Sequence, residues 1–291
     1  MDALRVTVSR GGVVEATHRV HAVAVQAGAV VAEAGDPGLV TFLRSSAKPF
    51  QALPLARARD DLDESDLAIA SASHLAQPVH LAAVRALLAK APAAEDELEC
   101  GPEGGSRLHH NCSGKHAGML ALCRAHGWES AGYRLAGHPV QQAVLAEVSA
   151  AAGAPAEEIP TAVDGCGVVT FALPLQRIAL MFSGLEERDA GARVAAAMRA
   201  RPELIRGDGA ADTELMRALP GWAAKGGAEA LFCAAGPGGL GIAVKVEDGS
   251  SRAIRPALAA FLGPLGHSLD GFAAVPVLNS RGDRVGEVSA P

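Results

Sequence analysis

Strand-like sequence at both ends of the chain, with helical sequence between, is the feature that most constrains the fold. Short runs rich in β-branched residues, bounded by glycine and proline, are typical of β-strands. Such runs occupy 4–8, 20–25, 30–32, 40–43, 230–234, 241–246 and 285–288. Apolar residues at three- and four-residue spacing predict helices over 79–89, 115–126, 140–151, 187–199 and 251–261. We therefore expect the two ends of the chain to share one sheet.

This arrangement predicts a fold of the α/β (α+β) class in a single domain over 1–291. An antiparallel sheet is expected from about 1–45 and 228–291, with a helical subdomain from about 46–227 inserted between its two parts. A chain of this length can bury most of its apolar surface. Only 3% of its residues are aromatic, so we expect Ala, Val and Leu to fill the core.

The charge balance argues against several classes of partner. The formal net charge is −6 and no block of Lys or Arg stands out. We expect no nucleic-acid partner, because phosphate binding requires clustered cations. No stretch approaches the roughly 20 apolar residues that span a bilayer, and 1–10 lack a signal-peptide core, so we expect no membrane association and a cytoplasmic location. The five cysteines have no regular spacing, which argues against a disulfide framework.

Ser45 and Lys48 are the first candidates for chemistry. They lie three residues apart where a predicted strand gives way to a helix, and such positions share a face of a helical turn. A desolvated lysine can remove the proton of a serine and so activate it as a nucleophile. Taken alone, the pattern more often reflects a serine that caps the helix and a lysine in solvent.

Ser73 and the His- and Cys-rich segment 109–116 are further candidates. Ser73 could supply a second hydroxyl to the site, or it could cap the helix that follows. Cys112 and Lys115 straddle a predicted helix start, where the helix dipole lowers the pKa of a thiol. The segment could hold Zn²⁺ with a distant cysteine, bind a substrate carboxylate, supply a cysteine nucleophile, or be a capped helix with an incidental cysteine.

Two later residues extend the set. Cys166 lies between two glycines, which let other groups approach the backbone, and it is the natural distant partner of Cys112; a glycine-rich turn with a buried thiol fits as well. Lys245 stands mid-strand in an apolar run, where it is either a functional lysine or an edge-strand lysine in solvent. Serine β-lactamases combine Ser-x-x-Lys with a later Lys-Thr-Gly, and Lys48 and Lys245 could fill the two lysine positions, although no Thr-Gly follows Lys245.

Six segments, taken in chain order, form a joint pattern far more specific than any one of them. They are Arg44-Ser45-Ser46-Ala47-Lys48-Pro49-Phe50-Gln51, Ala72-Ser73-His74, Asn111-Cys112-Ser113-Gly114-Lys115-His116-Ala117-Gly118-Met119, His138-Pro139-Val140-Gln141, Asp164-Gly165-Cys166-Gly167 and Lys245-Val246-Glu247-Asp248-Gly249. Together they resemble the L-asparaginase II family, of the rhizobial type, over nearly the whole chain.

The resemblance implies a fold related to serine β-lactamases and glutaminases, and hydrolysis of L-asparagine to L-aspartate and ammonia. It implies two serine–lysine pairs, Ser45 with Lys48 and Ser73 with Lys245, and Lys225 is a rival of Lys245 for the last position. The partner implied is therefore a small-molecule substrate, L-asparagine, and the expected assembly is a homodimer.

The resemblance also implies a metal site and a set of substrate contacts. The zinc ligands would be Cys112, Lys115 and Cys166. The substrate contacts would come from Arg44, His74, Gln77, His116 and Asp164.

The chain departs from the family pattern at Leu75-Ala76-Gln77, where a Ser-Gly-Glu-like segment is expected, and around Glu103-Gly104-Gly105. An amide at Gln77 replaces a carboxylate that could contact the substrate's ammonium. Three alternatives stay open. They are a glutaminase- or β-lactamase-like serine acyl hydrolase, a zinc-binding structural or ligand-sensing protein without catalysis, and a Cys112-dependent hydrolase that uses His109, His110 or His116.

Overall fold

The computed structural model describes residues 1–290. The strands are β1 Leu4–Arg10, β2 Val13–Gln26, β3 Ala29–Ala34, β4 Val40–Phe42, β5 Thr161–Val163, β6 Val169–Pro174, β7 Ala223–Gly226, β8 Leu231–Gly236, β9 Leu240–Val246, β10 Ala274–Leu278 and β11 Arg284–Ser289. The α-helices are α1 Lys48–Gln51, α2 Leu53–Ala58, α3 Glu64–Ala70, α4 Pro78–Lys90, α5 Ser113–His126, α6 Pro139–Ala152, α7 Leu175–Ser183, α8 Gly191–Ala200, α9 Pro202–Ile205, α10 Ala211–Ala218, α11 Ile254–Leu262 and α12 Asp270–Ala273. Short 3-10 turns occupy Arg44–Ala47, Glu95–Glu97, Arg107–His109, Ala156–Glu158, Leu185–Glu187, Pro237–Gly239, Ser251–Ala253 and Gly263–Leu265.

Eight strands form one antiparallel sheet to which both ends of the chain contribute. The strand order is β10-β11-β1-β2-β9-β8-β7, and β3 pairs with β2 beyond the end of β1. The long strand β2 connects the two parts of the sheet. It pairs with β1, where Leu4 lies opposite Val20, and with β9, where Val23 lies opposite Ala243. The predicted α+β fold with a sheet from both termini is confirmed.

Helices cover both faces of this sheet. Every residue of β9 is buried, and because side chains alternate between the two faces, both faces must be covered. On one face α7 approaches β9 so closely that a Cβ on Gly241 would lie 2.2 Å from the carbonyl oxygen of Ala179. Glycine is required at this crossing. α11 contacts β1 and β9 as well as β10 and β11.

The sheet boundaries differ from those expected. β4 leaves the main sheet and pairs with β6, which also pairs with β5, in a separate three-stranded sheet. The main sheet therefore takes its strands from 4–34 and 223–289, not from about 1–45 and 228–291. The middle of the chain is not purely helical. β5 and β7 contain three and four residues, too few to give a recognisable alternation in the sequence.

Most predicted helices form, and glycines end two of them. α5 and α6 stop at Gly127 and Gly153, which have φ values of +65° and +59°. The helix predicted over 187–199 begins only at Gly191, because Ala190 has a φ of +62° and interrupts the helical backbone. Residues 1–290 include no helix of the length and apolar character that a membrane crossing requires.

Candidate active site

The turn after β4, which leads into Ser45 and Lys48, begins with one residue in a strained backbone conformation. Arg44 has a φ of +49°, a left-handed conformation that costs an L-residue on the order of 1 kcal/mol. Two contacts hold it there. The Arg44 N–H donates to Thr170 Oγ1 at 3.0 Å, and Arg44 Nε donates to Asp164 Oδ1 at 2.5 Å. Strain of this kind is concentrated at functional sites.

Lys48 is fully buried, and its amine contacts the segment that contains Ser73. Lys48 Nζ donates to the carbonyl of Ala72 and lies 2.9 Å from Ser73 Oγ. Burial lowers the pKa of Lys48, which favours the neutral amine. Ser45 is half-buried, and within residues 1–290 no hydrogen bond joins its hydroxyl to Lys48. The structure pairs Lys48 directly with Ser73.

A sulfur–amine cluster joins the start of α5 to the loop at 164–167. Lys115 Nζ lies 3.0 Å from Cys166 Sγ. A hydrogen bond with Cys166 holds the pKa of Cys112 well below its usual range, and the charges of Lys48 and Lys115 act in the same direction. The same hydrogen bond raises the pKa of Cys166. The ionisation of each cysteine is thus coupled to that of the other, and the charges of two lysines act on Cys112.

The structure brings Lys225 to this cluster. Lys225 lies on β7 and is completely buried, with its Nζ 3.6 Å from Asp212 Oδ1. Burial lowers the pKa of Lys225 to about 7. The charges of Lys48 and Cys112 also act on that pKa, which shows that all three groups lie in one electrostatic environment.

Lys245, which the sequence analysis placed in the catalytic set, lies apart. Its amine donates to the backbone carbonyl of the next residue. The strand register and the usual strand spacings put its Cα roughly 12 Å from that of Lys225. Burial lowers the pKa of Lys245, and the charged groups that oppose this are Glu229, Asp248 and Glu247, none of which belongs to the cluster.

Nearly the whole chain matches one protein family. The model of L-asparaginase II matches residues 6–290. The chain belongs to the L-asparaginase II family. This membership supports an asparaginase-type amidohydrolase with a small-molecule substrate, and it confirms the resemblance seen in the sequence. No curated protein matches the chain at a significant level.

In this L-asparaginase II chain, His74 orders the backbone around the cluster. His74 Nδ1 accepts from the Ala76 N–H at 3.1 Å, so the ring proton is on Nε2, which lies 2.9 Å from Ser113 Oγ. Ser113 Oγ in turn donates to the carbonyl of Leu108. Burial lowers the pKa of His74 to about 3, so the ring is neutral. Both ring nitrogens are occupied, and none is free for the substrate contact that the sequence predicted.

His116 is also enclosed. Its Nδ1 lies 2.7 Å from the hydroxyl of Tyr133, which accepts from the Glu99 N–H at 2.7 Å. The other ring nitrogen, Nε2, is buried. Among the described residues this buried Nε2 has no partner. Burial lowers the pKa of His116, so the ring is neutral.

The loop that departs from the family sequence forms one wall next to Ser73. Ala76 has a φ of +53°, the conformation that the glycine expected at this place adopts without strain. Gln77 is the N-cap residue of α4, and its Oε1 lies against Gly207, where a Cβ would be 3.0 Å away. Two backbone hydrogen bonds hold the loop against 205–206. The N–H of Ser73 donates at 2.8 Å, and the N–H of Leu75 donates at 2.9 Å.

His110 is the histidine that borders Cys112. His110 Nδ1 accepts from the Cys112 N–H at 3.0 Å, and a hydrogen bond between the two side chains contributes to the low pKa of Cys112. His109 lies instead near Gly104, at the departing loop. In the alternative with Cys112 as the nucleophile, His110 is therefore the neighbouring histidine, and His109 is not.

Cys112, Lys115 and Cys166 form a donor set that suits zinc. Two sulfurs and one amine nitrogen meet in one place, and Zn²⁺ prefers sulfur and nitrogen ligands. Residues 1–290 contain no group of three or more His, Cys, Asp or Glu side chains arranged to hold a metal. A zinc ion at this place would therefore depend on Lys115 as the third donor. Three protein ligands with a fourth position open to a small molecule is an arrangement known in zinc enzymes.

Proposed function

We propose that this chain hydrolyses the side-chain amide of L-asparagine to L-aspartate and ammonia by a serine–lysine mechanism. Membership of the L-asparaginase II family supports the reaction. The observation that supports the mechanism is the 2.9 Å contact between the fully buried amine of Lys48 and Ser73 Oγ. Burial lowers the pKa of Lys48, and a lysine with a lowered pKa gives up its proton more readily and can then act as a base.

Ser45 is the nucleophile in this proposal. It is half-buried, whereas Ser73 is only 2% exposed, so Ser45 is the hydroxyl that a substrate can reach. Ser45 Oγ attacks the amide carbon, and its proton passes to neutral Lys48. Ser73, held against Lys48, returns a proton to the leaving amine. Ammonia departs, and water then cleaves the acyl-enzyme with the help of the same groups.

Lys225 takes the role that the sequence analysis gave to Lys245. With a pKa of about 7, roughly half of the Lys225 amines are neutral at pH 7. Lys225 is proposed to serve as the second lysine of the site, because the charge of Lys48 acts on its pKa. Asp212 holds it in position, at 3.6 Å.

Arg44 and Asp164 are proposed to bind the two charged groups of the amino acid. Arg44 uses Nε for its contact with Asp164, which leaves its terminal nitrogens able to receive the substrate carboxylate. Asp164 then faces the substrate ammonium. This contact should bind the substrate equally strongly in the ground state and in the transition state. Arg44→Ala should therefore raise KM far more than it lowers kcat.

Zinc is part of the proposal as a metal ion that Cys112, Lys115 and Cys166 would hold as its ligands. When bound, it would supply a Lewis acid that orients the substrate or the loops around it. A metal-bound Lys115 must lose its proton, so zinc occupancy should rise with pH. The homodimer and the cytoplasmic location remain predictions from the sequence; light scattering coupled to size-exclusion chromatography checks the first.

The deciding experiment measures ammonia release from L-asparagine and L-glutamine beside hydrolysis of nitrocefin. L-asparagine should be the preferred substrate. Ser45→Ala should abolish ammonia release, while Ser46→Ala serves as the matched control, since Ser46 Oγ donates to the carbonyl of Leu43 and forms no hydrogen bond with Lys48 or Ser73 within residues 1–290. Equal activity in the two variants would contradict the serine mechanism, and preference for glutamine or nitrocefin would contradict the substrate.

A second candidate is a hydrolase with Cys112 as its nucleophile. The contact between Cys112 and His110, and the lowered pKa of the thiol, favour it. Cys112→Ala and Ser45→Ala separate the two mechanisms. If turnover is lost in Cys112→Ala and kept in Ser45→Ala, then the cysteine is the nucleophile.

A further inference from the structure

A cavity of about 350 Å³ opens at the end of the hairpin formed by β7 and β8. Its charged lining consists of Arg206, Arg252, Arg255 and Asp212. None of the proposed catalytic serines and lysines and none of the proposed zinc ligands lines it. The cavity is thus a neighbour of the catalytic cluster and has its own walls.

The three arginines of this cavity have no carboxylate partner within residues 1–290. The side chain of Arg206 forms no hydrogen bond there. Arg252 Nε donates to His18 Nε2 at 2.9 Å, and the other ring nitrogen of His18 lies 2.6 Å from Asp248 Oδ2. Arg255 donates to the carbonyl of Gly209 at 2.6 Å, so Arg252 and Arg255 each use one nitrogen on a direct partner that is not a carboxylate. Three such guanidinium groups at one cavity are notable in a chain whose net charge is −6.

The one acidic group of the lining is already occupied. The Asp212 carboxylate accepts from the Gly226 N–H at 2.6 Å and lies 3.6 Å from Lys225 Nζ. Its charge is therefore directed into the fold, and the lining as a whole is positive.

One further feature of the lining indicates what it binds. The remaining wall is apolar, with Phe232, Ile254 and Val275. A volume of this size lies within the usual range for small-molecule sites.

We propose that this cavity binds the phosphate group of a small phosphomonoester, whose organic part lies against the apolar wall. A phosphate monoester has a charge of about −1.5 to −2 at pH 7, and this matches several guanidinium groups better than a single carboxylate does. The planar guanidinium fork also fits phosphate oxygens in pairs. The same chemistry would accept free inorganic phosphate, without the apolar contacts.

Isothermal titration of the full-length protein with phenyl phosphate and with inorganic phosphate tests this proposal. Phenyl phosphate should bind saturably, and more tightly than inorganic phosphate. Arg252→Gln and Arg255→Gln should each weaken binding severalfold, and the double variant at least tenfold. Arg85→Gln is the matched control, because Arg85 is exposed on α4 and removes the same charge far from the cavity. Amidase activity and thermal unfolding of each variant verify its folding.

The outcomes are distinct. Equal affinity for the two probes would make the free ion the ligand and would remove the organic part from the proposal. Absence of saturable binding to either probe, unchanged affinity in both single variants, or an equal loss in Arg85→Gln would overturn it. The single variants preserve the test if the double variant does not fold.

Discussion

The buried amine of Lys225 predicts how the stability of this protein depends on pH. An unperturbed lysine has a pKa of 10.5, whereas burial lowers the pKa of Lys225 to about 7. Between these values the unfolded chain holds a proton that the folded chain has lost. Unfolding therefore takes up a proton, and the free energy of unfolding rises as the pH rises from about 7 toward 10.5.

The magnitude follows from the same two pKa values. Uptake of one proton gives a slope of at most about 1.4 kcal/mol per pH unit. Over the whole window the contribution of Lys225 reaches roughly 5 kcal/mol, which is comparable to the total stability of many domains. Below pH 7 the amine is protonated in both states, and the folded protein then bears the full cost of a buried ammonium, offset by Asp212 at 3.6 Å.

Urea unfolding, followed by circular dichroism at half-unit steps from pH 7 to 10, measures this slope. Lys225→Met should have a slope lower than that of the unchanged protein by about 1 kcal/mol per pH unit. Lys90→Met is the control. Contacts with Asp66 and Asp63 raise the pKa of Lys90, so it stays protonated in both states over this window and should leave the slope unchanged. Identical slopes for Lys225→Met and the unchanged protein would mean that Lys225 keeps an ordinary pKa and supplies no neutral amine at pH 7.

The other predictions concern the nucleophile, the metal and the substrate loop. Ser45→Ala should reduce ammonia release to background without a change in thermal unfolding; substantial residual turnover would move the nucleophile elsewhere. The purified protein should contain about one zinc per chain by elemental analysis, and the double variant Cys112→Ser, Cys166→Ser should lose it; unchanged zinc would place the metal at other ligands. Ala76→Gly should stabilise the fold by less than about 1 kcal/mol, because it relieves a left-handed alanine. Gln77→Glu in that background should lower KM for asparagine about tenfold with little change in kcat, and an unchanged KM would show that this loop does not contact the substrate.

Local sequence signals predict the elements that have clear ends. α6 begins at Pro139 and stops at Gly153, and α5 stops at Gly127. Proline is favoured in the first turn of a helix and glycine just after the last turn, so these ends are expected. The strands near both termini were predictable for a similar reason, because β-branched runs between turn residues identify them. β10 was not predicted, because its five residues include Pro276 and proline argues against a strand.

The proposal of Lys225 as the second lysine could not be made from the sequence alone, because Lys225 and Lys245 both lie in short apolar strands. The choice depends on register. Lys225 lies opposite Cys233 on β8, and Cys233 lies opposite Ala243 on β9, whereas Lys245 is two residues further along β9. Register is a tertiary property that periodicity does not report. The contact between Lys48 and Ser73 joins residues 25 positions apart, so it too depends on tertiary structure and not on local sequence.

The loop after Ser73 shows why a departure from the family sequence can leave the backbone in place. Ala76 keeps a left-handed φ of +53° although it has a side chain. The surroundings determine that conformation, since the Ala76 N–H donates to His74 Nδ1 and the preceding N–H donates to the carbonyl of Arg206 at 2.9 Å. Two hydrogen bonds of about 1 kcal/mol each suffice to offset the strain of one alanine. The departure at Gln77 is then a change of charge on an unchanged loop, so its effect should appear in substrate affinity and leave the arrangement of Lys48 and Ser73 as it is.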